Sequence, residues 1–194
     1  MTPRSRLKVD VLVESKRWNP AAGVKTMVRR AVTCAAAMRR IGTAELAVVL
    51  TDDVAIRSLN REWRGIDAPT NVLSFPVKNG QSTSSAPPQA HLGDIVLAFE
   101  TVAREARNEH KPFDHHVAHL VVHGFLHLIG YDHERDQDAL VMEQAEREIL
   151  RQLAIPDPYR SRTTSRPPHA PRSNFHGQST PRPRARKSRA SLQL

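Results

Sequence analysis

The chain has 194 residues, 39% of them hydrophobic and 25% charged, with a formal net charge of +9 at pH 7. This length suits one domain with a sizeable core and is short for two. The single cysteine, Cys34, excludes an intrachain disulfide. The sequence shows neither a signal sequence nor a run of about 18 apolar residues. We therefore predict a soluble cytoplasmic protein with no membrane span.

The basic excess lies in the C-terminal segment. Residues 160–194 contain nine of the 29 Lys and Arg residues and no Asp or Glu, so residues 1–159 hold 20 basic and 20 acidic residues. The segment is rich in Pro, Ser and Arg, and this composition predicts disorder because little apolar surface can be buried. A basic arm attracts nucleic-acid phosphates, and a solvated tail without a specific partner is the alternative. We predict a folded domain over 1–159 and a disordered basic tail over 160–194.

Hydrophobic periodicity predicts four elements in the first half of the domain. In chain order these are a strand in which Leu7, Val9, Val11 and Val13 alternate with polar residues, a helix from about Pro20 to Arg40, a strand over 46–50, and a helix from Asp52 or Asp53 to Arg64. Proline suits the first turn of a helix, and aspartate caps the N-terminus of the next one. Gly65 is well placed to end that helix.

The second half continues with a mixture of strands and helices. The predicted elements are a strand over 70–77, a loop over 79–91, a strand over 93–100 followed by a helix to about His110, and helices over 112–129 and 136–153. Pro76 places the first of these strands at a sheet edge or near a strand end. Strands and helices that do not alternate strictly favour an α+β fold.

The segment HGFLHLIGYDH, residues 123–133, carries the clearest chemical pattern. On a helix, His123 and His127 project from the same face. Gly130 can end that helix in a left-handed cap, which allows His133 to face the other two imidazoles. Three converging imidazoles favour a divalent metal, zinc first, with a fourth position open. The spacing is also that of the metzincin proteases.

Two alternatives to an open metal site are less consistent with this pattern. Three buried histidines without a metal would each need a hydrogen-bond partner, at a cost of about 1–3 kcal/mol for each one left unsatisfied. A closed structural zinc site uses four protein ligands, usually thiolates, and Cys34 lies far upstream.

The protease interpretation lacks its general base, because a metzincin has glutamate directly after the first histidine and this chain has Gly124.

Three blocks in the chain carry a family resemblance: HGFLHLIGYDH, LNREWRGIDAPTNVLSFP at 59–76, and LGDIVLAFE at 92–100. Together they resemble the bacterial YbeY family, described as single-strand-specific endoribonucleases that act in ribosomal RNA maturation. The resemblance covers roughly residues 8–159, down to PDPY at 156–159. It implies an α+β fold with a small mixed β-sheet of about four strands packed with helices, and a zincin-like metal helix. It also implies one Zn²⁺ held by His123, His127 and His133, with RNA and ribosomal components as partners.

Outside the histidine motif, the resemblance points to Arg64. The sequence alone favours an arginine stabilised by the helix dipole in the last turn of its helix, whereas the resemblance favours a guanidinium that binds a substrate phosphate. His119 lies one turn before His123 and could donate a proton to a leaving oxygen, line the cleft or complete a hydrogen-bond network. Asp132 could orient a ligand imidazole or cap a turn.

We therefore predict that the protein is a single-strand-specific, zinc-dependent endoribonuclease that acts in ribosomal RNA maturation and ribosome quality control. Arg64 and His119 are the predicted catalytic residues. The nucleophile is either a water molecule or the RNA 2′-hydroxyl. The alternatives are a zinc protease and a non-catalytic ribosome assembly factor.

Overall fold

The computed structural model describes residues 7–21, 23–77 and 90–159, the side chain of Ala90 excepted. Over these ranges the elements are β1 (Leu7–Val13), a single 3-10 turn (Lys16–Trp18), α1 (Val24–Met38), β2 (Ala44–Thr51), α2 (Asp53–Arg64), β3 (Val72–Pro76), β4 (Ala90–Ala98), α3 (Phe99–Asn108), α4 (Phe113–Leu128) and α5 (Asp136–Gln152). The predicted α+β class is confirmed. The tail 160–194 and most of the predicted loop 79–91 lie outside the described residues.

The four strands form one mixed sheet in the order β1-β2-β4-β3. β1, β2 and β4 run parallel, and β3 pairs with β4 in the antiparallel direction. β3 is therefore an edge strand, and Pro76 is its last residue. The predicted edge position is confirmed, and it suits proline, which has no N–H to donate to a further strand.

Side-chain alternation gives the sheet two apolar faces. Ile95 and Leu97 of β4 face the larger core, which includes buried residues of α1, α4 and α5. Val96 of β4 and Leu73 of β3 face the opposite side, where Ile56 of α2 packs on them. Helix α4 contacts β3, β4, α1, α3 and α5, which explains its apolar sequence and gives it a fixed position in the molecule. No helix in the described part of the chain has the length and apolar character needed to cross a membrane.

The chain before α1 differs from the prediction. The first α-helix begins at Val24, with Gly23 at its N-cap, so Pro20 does not lie in its first turn. The cause is Trp18, which is 1% exposed and donates its indole N–H to the Thr51 carbonyl at 2.7 Å. This long-range contact holds the chain against the sheet before the helix begins.

The last strand also begins earlier and ends earlier than predicted. β4 starts at Ala90, inside the segment predicted as a loop, and ends at Ala98, so that Phe99 starts α3. Glu45 pairs with His91 whereas Leu46 pairs with Gly93, which leaves one extra residue in β4 at this point. Such a β-bulge allows the strand to continue beyond the irregularity.

Gly93 is required at the bulge by both conformation and space. Its φ is +129°, and a Cβ atom there would lie 2.1 Å from the backbone oxygen of Phe75. We expect Gly93→Ala to lower the free energy of unfolding by about 3 kcal/mol or more, because positive-φ strain adds to the steric clash. Gly42→Ala is the matched control, since a Cβ at Gly42 meets nothing within 4 Å. Urea unfolding of the two variants measures the difference, and equal stabilities would contradict the prediction.

Candidate metal centre

The turn after α4 brings the third histidine of the motif back toward the helix. Gly130 has a φ of +93°. Its N–H donates to the His127 carbonyl at 3.1 Å, and the Tyr131 N–H donates to the Leu126 carbonyl at 3.0 Å. These two bonds form a Schellman motif, in which a residue with positive φ reverses the chain at the helix end. The predicted left-handed cap at Gly130 is confirmed, and His133 follows three residues later.

His123, His127 and His133 meet in one group. One ring nitrogen from each lies within 4.8 Å of the corresponding atoms of the other two, and the Nε2 atoms of His123 and His127 are 3.1 Å apart. With Zn–N bonds of about 2.0–2.1 Å, tetrahedral coordination needs nitrogen–nitrogen separations of roughly 3.3 Å. The three imidazoles fit that requirement after small adjustments, so this group could hold a divalent metal ion.

The pKa shifts of two of the three histidines also suit a metal. Burial and then the neighbouring charges of His123 and His133 lower the pKa of His127 to about 4. Burial likewise lowers the pKa of His133, with His123 as the second cause. A lowered pKa favours the neutral ring of His127 and His133 at pH 7, and only the neutral form of the ring can coordinate a metal.

A buried carboxylate lies behind the group. Glu146 of α5 is 1% exposed. Its Oε1 atom is hydrogen-bonded to Nδ1 of His123 at 2.7 Å, and its Oε2 atom to Nε2 of His119 at 3.3 Å. The Tyr159 hydroxyl also donates to Oε2. Burial alone would raise the pKa of Glu146, but the hydrogen bonds with His119 and His123 outweigh it and lower that pKa below its usual range.

Sequence reasoning missed Glu146 and Tyr159. One signal was available for Glu146, since it is a charged residue on the apolar face of α5, among the buried Met142, Ala145 and Ile149. A carboxylate in such a position needs a buried partner. Nothing in the local sequence indicates that the partners are histidines 23 and 27 residues away.

Arg64 shares a cleft with one histidine of the group, His127. It lines a cleft of about 300 Å³ together with Ser74, Pro76, His127, Gly130, Tyr131, Asp132 and Glu134. Burial lowers the pKa of the Arg64 guanidinium, but an arginine stays positively charged in proteins. The cleft lining therefore includes one fixed positive charge, the side chains of Asp132 and Glu134, and a histidine of the three-histidine group.

The other predicted residues are placed as follows. His119 lies beside His123 at a second cavity, of about 580 Å³. Its Nε2 contacts Glu146, and its Nδ1 is buried without a hydrogen-bond partner among the described residues. His119 is not among the residues that line the Arg64 cleft, and its catalytic role stays a prediction. Asp132 accepts a hydrogen bond from the His133 N–H at 2.7 Å, so it caps the turn.

Gly124 occupies the place of the metzincin glutamate. A Cβ atom there would lie 2.9 Å from both the Ser74 Oγ and the Ile95 Cγ2. The missing side chain therefore allows α4 to pack closely on β3 and β4. A glutamate at this position would require the Ser74 and Ile95 side chains or the helix to shift, so the packing disfavours the residue that would be the general base of a protease.

The α+β domain thus places three histidines that could hold a metal ion beside a cleft lined by Arg64, Asp132 and Glu134. A family model described as Endoribonuclease YbeY matches residues 12–154, and the chain belongs to this family. A relative from Nitrobacter hamburgensis, named Endoribonuclease YbeY, is 56% identical over 155 residues, covering 77% of this chain and 80% of that protein. A Rhodopseudomonas palustris protein of the same name is 54% identical over 154 residues, covering 77% of this chain and 90% of its own length.

A solved solution structure from Thermotoga maritima is also similar. It is 26% identical in sequence and has a TM-score of 0.47, covering 75% of this chain and 91% of its own length. This TM-score is too low to add to what the sequence comparison establishes.

Proposed function

We propose that this protein is a zinc-dependent endoribonuclease that cleaves single-stranded RNA, with ribosomal RNA precursors as its substrates. Its family membership supports nuclease activity. The observation that carries the proposal is the single cleft shared by Arg64 and His127. A phosphate in that cleft would contact a guanidinium on one side and lie beside the three-histidine group on the other.

The metal ion would be held by His123, His127 and His133. When bound, zinc would supply a Lewis acid and would activate a water or hydroxyl nucleophile at neutral pH. Arg64 would bind the phosphate through its N–H donors and stabilise the negative charge that increases on the phosphoryl oxygens. The turn around Gly130 and Asp132 would keep His133 and the cleft wall in position while the substrate binds.

His119 would contribute indirectly. Because its Nε2 is bonded to Glu146, we propose that it helps to hold that carboxylate against His123 rather than donating a proton to the leaving oxygen itself. This role revises the direct proton transfer considered from the sequence. His119→Asn, which keeps a donor but removes the imidazole, should retain most of the RNA cleavage rate if the role is indirect.

The proposal is tested on the full-length protein with a single-stranded RNA, a duplex of the same sequence, and casein. We expect cleavage of the single strand alone, loss of cleavage on chelation, and its return when zinc is added. Cleavage of casein would favour the protease alternative. Intact RNA with a zinc-loaded protein would leave the ribosome assembly factor as the better interpretation. The product ends identify the nucleophile, because a 2′,3′-cyclic phosphate requires attack by the 2′-hydroxyl.

We propose ribosomal components as further partners, and the basic tail as an additional contact with RNA. A cytoplasmic location would follow from action on ribosomal RNA precursors. Nine Lys and Arg residues in 160–194 would contact RNA phosphates without sequence preference, and each contact would add to the salt dependence of binding. The affinity of the full-length chain for single-stranded RNA can be compared with that of a variant whose nine basic tail residues are glutamine. Equal salt dependence would exclude the tail as an RNA contact.

A further inference from the structure

Glu146 connects three separate parts of the chain at the metal centre. Its carboxylate contacts His123 and His119, from different turns of α4, and Tyr159, from the segment after α5. We propose that Glu146 is a positioning residue that fixes the tautomer and orientation of His123, and that Tyr159 and His119 in turn fix Glu146. This inference rests on the metal centre of the proposed function.

The tautomer follows from the hydrogen-bonding chemistry. A carboxylate has only acceptor atoms, whereas a neutral imidazole has one N–H donor and one nitrogen lone pair. The 2.7 Å contact with Glu146 therefore places the His123 proton on Nδ1. The lone pair is then on Nε2, the atom that lies 3.1 Å from Nε2 of His127 and faces the three-histidine group. Without Glu146, the other tautomer would present an N–H where a metal ion requires a lone pair.

Besides the contact of its ring with His119, the segment that carries Tyr159 has contacts that do not involve the histidines. The Lys111 ammonium group donates to the Pro158 carbonyl at 3.3 Å, and the Arg147 guanidinium lies 4.9 Å from the centre of the Tyr159 ring. The Tyr159 hydroxyl is thus already in place to donate to Glu146. A buried carboxylate is costly unless it is hydrogen-bonded, so this donor stabilises Glu146 in the orientation that His123 needs.

The first test measures the His123 tautomer in the full-length, metal-free wild-type protein. Two-bond ¹H–¹⁵N NMR correlations distinguish a protonated Nδ1 from a protonated Nε2. We expect His123 to carry its proton on Nδ1 in the wild type, and to lose this single state in Glu146→Gln. A wild-type His123 protonated on Nε2 would overturn the proposal, whether or not any variant folds.

The second test measures zinc affinity by competition with a chelator. A glutamine at 146 presents one acceptor and one NH₂ group, so it cannot accept hydrogen bonds from all three donors. We expect Glu146→Gln to bind zinc about 10- to 100-fold more weakly, as is typical when the partner of a metal-ligating histidine is removed. Tyr159→Phe, which removes one donor to Glu146, should give a smaller loss in the same direction.

Glu148→Gln is the matched control, because Glu148 lies on the same helix and pairs with Arg39 at 2.8 Å instead of with a histidine. It should bind zinc as the wild type does. Wild-type zinc affinity in Glu146→Gln, together with an unchanged Nδ1 proton, would show that Glu146 has only a structural role. A wild-type protein that binds no zinc would refute the proposed function, and the NMR measurement would still decide whether Glu146 fixes His123.

Discussion

Replacing Arg64 by alanine is expected to lower the rate of RNA cleavage by about 10²- to 10³-fold, the loss typical of removing a group that stabilises transition-state charge. The reason is its place in the cleft, where it shares the walls with His127. Zinc content should stay unchanged, because Arg64 does not belong to the three-histidine group that could hold the ion. Single-turnover cleavage rates and zinc per chain, measured on the same samples, provide the check.

Two further variants test whether the loss is specific to the guanidinium of Arg64. Arg64→Lys keeps the positive charge but loses the planar fork of donors, so it should recover only part of the rate. Arg61→Ala removes an arginine from the same helix, but this side chain is 63% exposed and lies 3.8 Å from Asp67. Its cleavage rate should therefore remain close to that of the wild type. Equal losses in Arg61→Ala and Arg64→Ala would indicate a general charge effect and would refute a specific phosphate contact.

Replacing His127 by alanine is expected to weaken zinc binding by at least about 100-fold, since loss of even an outer partner of a ligand costs about 10- to 100-fold. RNA cleavage should fall with the zinc content. His127 is central to the group, because its ring lies 4.7 Å from His123 and 4.9 Å from His133, measured between ring centroids. Isothermal titration with zinc and an RNA cleavage assay measure the two effects.

His115→Ala is the control for this substitution. His115 lies on the same helix, α4, and outside the three-histidine group. It should bind zinc and cleave RNA as the wild type does. RNA cleavage that persists in zinc-free His127→Ala would mean that the metal does not take part in the reaction. Zinc retained at full affinity by that variant would mean that the ion is bound elsewhere.

Much of the fold follows from local sequence patterns. Alternating residues define β1, and Asp52 and Gly65 mark the ends of α2, because strand alternation and helix capping depend on neighbouring residues. The structure confirms that Asp52 caps α2 by accepting the Ala55 N–H at 3.1 Å and that Gly65 ends the helix with a φ of +72°. The strand order and the late start of α1 depend on contacts between distant residues, which local periodicity does not encode.

The candidate site likewise has a part that the local sequence predicts and a part that depends on long-range contacts. His123, His127 and His133 could be grouped from the sequence, because helical spacing and a glycine cap determine their relative positions. The shared cleft of Arg64 and His127 depends on the packing of α2 beside β3. Glu146 and Tyr159 contact His123 and His119 only when α5 is packed on α4, and no short sequence motif predicts these contacts.

The three histidines that could hold the metal lie within residues 123–133. Closing so short a loop removes little conformational entropy from the unfolded chain, because this entropy grows with the logarithm of loop length. A bound ion would therefore add little through loop closure itself, and its effect on the folding equilibrium would depend on the difference in its affinity for the folded and the unfolded chain. Unlike a zinc finger, this domain has a large buried apolar core, so this core rather than a metal ion would supply most of the folding free energy, and removal of zinc should leave the domain folded.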